Sequence, residues 1–233
     1  MPQGFRKIRR SGTGVPKAKM IDKPCLLRYI LVREALSTTI SKGVTNGKMK
    51  TITLKKEKIH SGSLLLVNAR YPMKNQEEIV LAPVDARFPE IRMESRAADF
   101  LRLILKYILS EDEIVPVSGY RSSEEQTAIF EDSLEQNGEI FTRQFVALPG
   151  HSEHQTGLAI DLGLNQEEID FICPEFPFQG ICGTFRNIAP DYGFIQRYGK
   201  DKESITGIAH EPWHFRYVGY PHSRIITDGN FSM

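Results

Sequence analysis

Residues Leu158 to Leu164 alternate without a break. Leu158, Ile160, Leu162 and Leu164 fall on one side of an extended chain, and Ala159, Asp161 and Gly163 on the other. A strand of this kind belongs to a sheet with one covered face, because its leucine row must leave water. Asp161 then projects from the opposite face, between neighbours small enough to leave room beside it.

Around this strand the pattern mixes two periods. The run Leu64-Leu65-Leu66-Val67-Asn68 predicts a short buried strand or an edge of the core. Between residues 94 and 110, Ala97, Leu101, Ile104, Leu105 and Ile108 recur at helical spacing with one face buried. Ile114-Val115-Pro116-Val117 reads as a strand and Ser118-Gly119-Tyr120-Arg121 as the turn leaving it. A helix then starts at Ser122 or Ser123, with Ser123 and Gln126 in a capping-box spacing, and Gly138 is its natural stop. Short helices are predicted near residues 166–172 and 185–192, the second ended by Gly193, and a last strand over His214 to Val218. Strands and helices intersperse without βαβ spacing, so the expected class is α+β.

Composition narrows the setting. With 233 residues, 40% of them hydrophobic and 25% charged, the chain has material for a substantial core without disulfide staples. Cys25, Cys173 and Cys182 form no C-x-x-C pair and are expected to be reduced thiols. The net charge of +1 conceals a split. Residues 1–50 hold twelve of the thirty basic residues and only two acids, which leaves 18 basic and 27 acidic residues for the remainder. Residues 1–48 are therefore expected to be a basic N-terminal extension, resembling a transit peptide or tail, and Met49 an alternative start of the native product. Residues 49–233 are expected to be one acidic domain, which gives no reason to expect a nucleic-acid partner. No run approaches the roughly 18 apolar residues of a membrane span, and no apolar segment follows the basic start as in a secretory signal. The expected location is cytoplasmic.

Four of the six histidines lie in two clusters with acids beside them. The first runs from His151-Ser152-Glu153-His154 to Asp161, and the second is His210-Glu211-Pro212-Trp213-His214. A catalytic zinc takes three protein ligands from histidine and carboxylate and leaves one position open. A further carboxylate outside that shell is needed to move protons. His154 precedes Gly157, in a turn that can bring its ring beside the strand carrying Asp161. His214 opens its own strand and can face the same centre, while Glu211, three residues earlier, is kept out of helix by Pro212. The pattern is not H-E-x-x-H, whose two histidines share a helical face. Glu153, His151, His210 and His222 are left between outer support of a ligand and surface placement.

Ser152-x-His154-x-x-Gly157-x-Ala159-x-Asp161 and Glu211-x-Trp213-His214 resemble the two signature motifs of the zinc D-Ala-D-Ala metallopeptidases, the VanX, VanY and VanXY enzymes of vancomycin-resistant bacteria. Ser118-Gly119-Tyr120-Arg121-Ser122 is similar to a third, and Asp191-Tyr192-Gly193-Phe194 with Arg197-Tyr198 to a further stretch. The likeness spans roughly residues 60 to 222 and is nearest to the unanchored, bifunctional VanXY type. It implies a hedgehog/DD-peptidase-like fold, a mostly antiparallel central sheet flanked by helices. It also implies one zinc ion on His154, Asp161 and His214, with Glu211 as proton carrier and Arg121 facing the developing oxyanion. Ser152 and Gln126 would bind the dipeptide backbone or its carboxylate. The implied substrates are free D-Ala-D-Ala and peptidoglycan pentapeptide precursors, and the consequence is glycopeptide resistance. Two other readings share the zinc centre: an L-alanyl-D-glutamate endopeptidase, and a hedgehog-like module that binds without turnover. Glu211 speaks against the second. The segment from Asp170 to Gly183, rich in Pro, Phe and Gly, is expected to be a loop over the site that sets substrate length.

Overall fold

The structure is a computed structural model that describes residues 61–73 and 78–233. The expected extension at 1–48, the boundary at Met49 and Cys25 lie outside the described residues.

The described residues open with a single 3-10 turn at Gly62–Leu64. Residues 65–67 follow with Val67 fully buried, and Asn68 and Tyr71 make only an isolated bridge. The expected strand over 64–68 is therefore absent, although the run does supply an edge of the core. A small antiparallel pair follows, β1 (Leu81–Pro83) with β2 (Arg92–Glu94). Glu94 then caps α1 (Ser95–Tyr107) by accepting from the backbone N–H of Ala97. Its buried side chains are Ala97, Ala98, Leu101, Ile104 and Leu105, the stripe its spacing predicts.

β3 (Ile114–Ser118) leads through the turn at 119–121 into α2 (Ser123–Phe145). The capping box is made by Ser122 and Glu125, not Ser123 and Gln126, because Gln126 turns inward. Gly138, at φ 80°, interrupts the helix where a stop is expected, but a second helical stretch continues beyond it. A 3-10 turn at Glu153–Thr156 delivers the chain into β4 (Ala159–Leu164). The expected helix near 166–172 is not formed. There the carboxylate of Asp170 accepts from the N–H groups of Ile172 and Cys173, a side-chain turn that competes with helical bonds. α3 (Gly180–Ile188) runs into a 3-10 turn at Ala189–Tyr192, and Gly193 ends it in the left-handed conformation. It begins five residues earlier than the sequence pattern indicates. β5 (Phe194–Tyr198), the short α4 (Glu203–Thr206), β6 (Glu211–Tyr217) and α5 (His222–Asp228) complete the described chain.

The main sheet is antiparallel throughout, in the order β3-β4-β6-β5. Ile160 and Leu162 of β4, Phe215 of β6 and Phe194 of β5 bury one face against α1 and α3, through Leu101, Ile104, Cys182 and Phe185. Each large apolar side chain so covered contributes about 1.5–3 kcal/mol, which makes this layer the main source of stability. On the opposite face Val115 and Val117 pack with Ile169, and Gly163 sits against Val117, Ile169 and Pro174. That cover explains why β4 is buried on both sides although only its leucine face is hydrophobic. Mixed helices and an antiparallel sheet make this an α+β fold, as expected.

Candidate metal centre

Antiparallel register brings the two sequence clusters together. Asp161 on β4 is paired directly with His214 on β6, and Ser118 on β3 is the partner of Asp161 on the other side. Three neighbouring strands thus present one row of polar side chains at one height on the sheet. A register shift between Pro116 and Ser118 bends β3 beside it. Along β6, Trp213, Phe215 and Tyr217 join the core, while His214 and Arg216 face the other way. Glu211 is out of phase with His214, yet its Oε2 lies 3.7 Å from His214 Nδ1. The irregular ladder between Gln196 and Tyr198 of β5, opposite this stretch, accommodates the turn of the chain.

His154 arrives from the 3-10 turn. Its Nδ1 lies 2.7 Å from the carbonyl oxygen of Gly119, which can only accept, so Nδ1 carries the proton and Nε2 is bare. Gly119 is needed there: a Cβ would collide with the carbonyl oxygen of Arg92, where Tyr120 N–H donates at 2.6 Å. Gly157, at φ 70°, then turns the chain from His154 into β4.

His154, Asp161 and His214 are buried, and their ligand atoms lie within 4.8 Å of one another. His154 Nε2 is 3.1 Å from Asp161 Oδ2, and His214 Nδ1 is 2.9 Å from Asp161 Oδ1. Two histidines and a carboxylate are a donor set that zinc takes, and their gathering within 4.8 Å suits such an ion. Among the described residues this trio is the group that could hold a metal.

Electrostatics mark the same spot. Burial pushes the Glu211 carboxyl up to about 8, despite the downward pull of His214 and Arg121. Burial works against protonation of His214, but hydrogen bonds to Asp161 and Glu153 outweigh it and hold the ring at about 9. The neighbouring His154 and His214 more than offset burial at Asp161 and keep it far below the usual carboxylate range. Burial lowers His154, with Arg121 acting the same way. A cation would discharge this arrangement by taking the place of the His214 proton.

Arg121 reaches in from the turn after β3. Its Nε donates to Ser118 Oγ at 2.8 Å, Nη1 to Gln126 Oε1 at 3.3 Å and Nη2 to Asp161 Oδ2 at 3.1 Å. The guanidinium lies over the Phe171 ring at 5.5 Å. An open cavity of about 470 Å³ is bounded by Arg121, Ser152, the three clustered residues and Glu211, with Phe171, Ile172, Tyr198 and Trp213 around them. Gln126 is not in that wall. It is fully buried behind Arg121, with Nε2 donating to Ala147 O at 2.7 Å, so its amide is committed to the protein. The other histidines sit elsewhere: His151 Nδ1 is 2.8 Å from Asn68 O, His222 Nδ1 is 3.2 Å from Val218 O, and His210 stacks on Phe178.

The VanY profile, described as D-alanyl-D-alanine carboxypeptidase, matches residues 90–220. The chain belongs to the VanY family. The bifunctional D-Ala-D-Ala dipeptidase and carboxypeptidase VanXYC of Enterococcus gallinarum is 46% identical over 169 residues, covering 71% of this chain and 88% of the relative. A crystal structure of the vancomycin-resistance D,D-dipeptidase VanXYg, in complex with a D-Ala-D-Ala phosphinate analogue, is 63% identical with a TM-score of 0.74. It covers 80% of this chain and 74% of its own. VanY from the VanB-type cassette, solved with Zn(II), is 27% identical, with a TM-score of 0.59 and coverage of 73% and 96%.

Within this VanY-family domain the sequence left Glu153 undecided and passed over Arg216. Glu153 is fully buried, with Arg197 Nε donating to its Oε1 at 2.9 Å and Arg216 Nη1 3.2 Å from the same oxygen. The signal was faint: an arginine two residues past His214 shares its face, but nothing local shows that it is buried. Cys173 and Cys182 are free thiols, as expected, and burial raises them to about 12 and about 11. Among the described residues no helix is long and apolar enough to cross a membrane.

Proposed function

We propose that the chain is a zinc-dependent D,D-peptidase that hydrolyses D-Ala-D-Ala, both as the free dipeptide and at the end of pentapeptide precursors in the cytoplasm, and so confers glycopeptide resistance. The observation that carries the reading is a buried carboxylate, Glu211, 3.7 Å from a donor atom of a buried two-histidine, one-aspartate cluster. A purely structural metal site has no use for such a group. VanXYC and VanXYg, whose names state these activities, support the substrate class.

His154, Asp161 and His214 would hold one zinc ion. When bound, zinc supplies Lewis-acid polarisation of the scissile carbonyl and activation of water. Glu211 takes a proton from the attacking water and delivers it to the leaving amine of the terminal D-alanine; a neighbouring cation favours its ionised, proton-accepting form. Arg121, immobilised by Ser118 and Gln126, donates to the carbonyl oxygen as negative charge builds there. Ser152, in the cavity wall, hydrogen-bonds the substrate backbone. Gln126 serves through Arg121.

Glu211→Gln is expected to reduce D-Ala-D-Ala hydrolysis by at least about 10²–10⁴-fold while zinc stays bound. Full activity of that variant, with metal content measured alongside, would remove the mechanism.

Substrate length is set by the segment from Asp170 to Gly183. Phe171 and Ile172 stand in the cavity wall, and α3 begins within the segment at Gly180, so the adaptable part is residues 170–179. Shortening it is expected to change the ratio of dipeptidase to carboxypeptidase activity, measured on D-Ala-D-Ala and the pentapeptide precursor. An unchanged ratio refutes the assignment.

A further inference from the structure

A neutral imidazole carries one proton, and only its bare nitrogen can ligate a metal. For His154 the Gly119 carbonyl settles which nitrogen that is. His214 is more exposed to error, because both of its nitrogens face acids. Nδ1 has Asp161 Oδ1 at 2.9 Å and Glu211 Oε2 at 3.7 Å; Nε2 has Glu153 Oε2 at 3.3 Å. With no acceptor on the Nε2 side, the proton would rest on Nδ1 against Asp161 and block the ligand atom.

Glu153 has almost no freedom to do anything else. Its side chain is 0% exposed, and its other oxygen is taken by Arg197 and Arg216, themselves 1% and 0% exposed. Arg216 is anchored in turn by donating through Nη2 to the carbonyls of Leu65 at 2.7 Å and Ser63 at 3.3 Å. Buried charge groups of this kind stabilise a fold poorly, since removing each ion from water costs several kcal/mol. Their value here is directional. Two guanidiniums hold one carboxylate against one ring nitrogen.

We propose that Glu153, clamped by Arg197 and Arg216, is a positioning residue that accepts from Nε2–H of His214 and so presents Nδ1 to the metal. The inference rests on the reading that His154, Asp161 and His214 hold zinc. Outer carboxylates behind a ligating histidine typically govern about 10–100-fold in metal affinity.

The test is zinc affinity, measured by competition with a chromophoric chelator, for the wild type and Glu153→Gln. The amide keeps the shape but loses the charge, and it can turn its NH₂ toward the ring. A folded variant is expected to bind zinc about 10–100-fold more weakly. Lowered thermal stability with unchanged zinc affinity shows a merely structural role and overturns the proposal. Should the variant fail to fold, ¹⁵N and ¹H NMR of zinc-loaded wild type decides. Nδ1 metallated with a protected Nε2–H is expected for His214, and metallation at Nε2 or a freely exchanging Nε2–H overturns it. A wild type that binds no zinc would instead bring down the metal reading itself.

Discussion

Arg121 shows how a side chain in the cavity wall is held by the residues around it. Three of its nitrogens are assigned by Ser118, Gln126 and Asp161, and the guanidinium is fixed in a plane over Phe171. Lysine cannot reproduce that fork. Arg121→Lys is expected to lower kcat by about 10²–10³-fold with little change in KM, as befits a donor that acts chiefly in the transition state. Gln126→Ala should reproduce part of the kcat loss and leave zinc affinity intact, because it only loosens Arg121. Steady-state kinetics on D-Ala-D-Ala with parallel zinc titration checks both. If Gln126→Ala raises KM alone, the residue binds substrate directly and the placement behind Arg121 is not its role.

At the scale of elements, the turn after β3 has the least tolerance. Gly119 passes so close to Arg92 that no Cβ fits, and its carbonyl holds the His154 ring. Gly119→Ala is therefore expected to destabilise the fold by about 1–3 kcal/mol and to weaken zinc binding as well. Urea unfolding with and without zinc measures both effects; an unchanged zinc affinity would detach the turn from the metal centre. These elements differ in how far they can be read from the chain. The alternation of 158–164 and the helical stripe of α1 were legible because period alone places them, and Asp161 came with the former. The false helix at 166–172 was written over by one carboxylate, Asp170, bonding its own backbone. β5 left little trace, since its two faces carry Phe194 and Arg197, and both are buried through partners far along the chain. Glu153 was undecidable for the same reason: its burial depends on Arg197 and Arg216, which the fold brings from 44 and 63 positions away. Candidate metal ligands announce themselves by residue type; the charged groups packed behind them do not.

The whole molecule registers the site through pH. Without metal, His214 is raised from its ordinary 6.5 to about 9, and Glu211 from 4.5 to about 8. Between the ordinary and raised values the folded chain holds more protons than the unfolded one, so metal-free stability falls as pH rises through that window. On the proposed ligation zinc displaces the His214 proton, so its stabilisation grows over the same range. The melting temperature of chelated protein is expected to be lower at pH 8.5 than at pH 6, and the gain on adding zinc larger. A zinc gain that is flat or shrinks with pH would contradict the assignment of His214 as a protonated, metal-displaced group.

Asp161 and His214 are facing partners in adjacent strands, whereas Phe171 and Ile172 of the cavity wall belong to an irregular segment. On the proposed assignment, the bond-breaking parts and the length-selecting parts are thus carried on different kinds of backbone. Insertions or deletions between β4 and α3 are then expected to retune what enters while the ladder keeps the spacing of Asp161 and His214 unchanged. A population under changing antibiotic pressure could explore new precursor preferences there without first losing its chemistry.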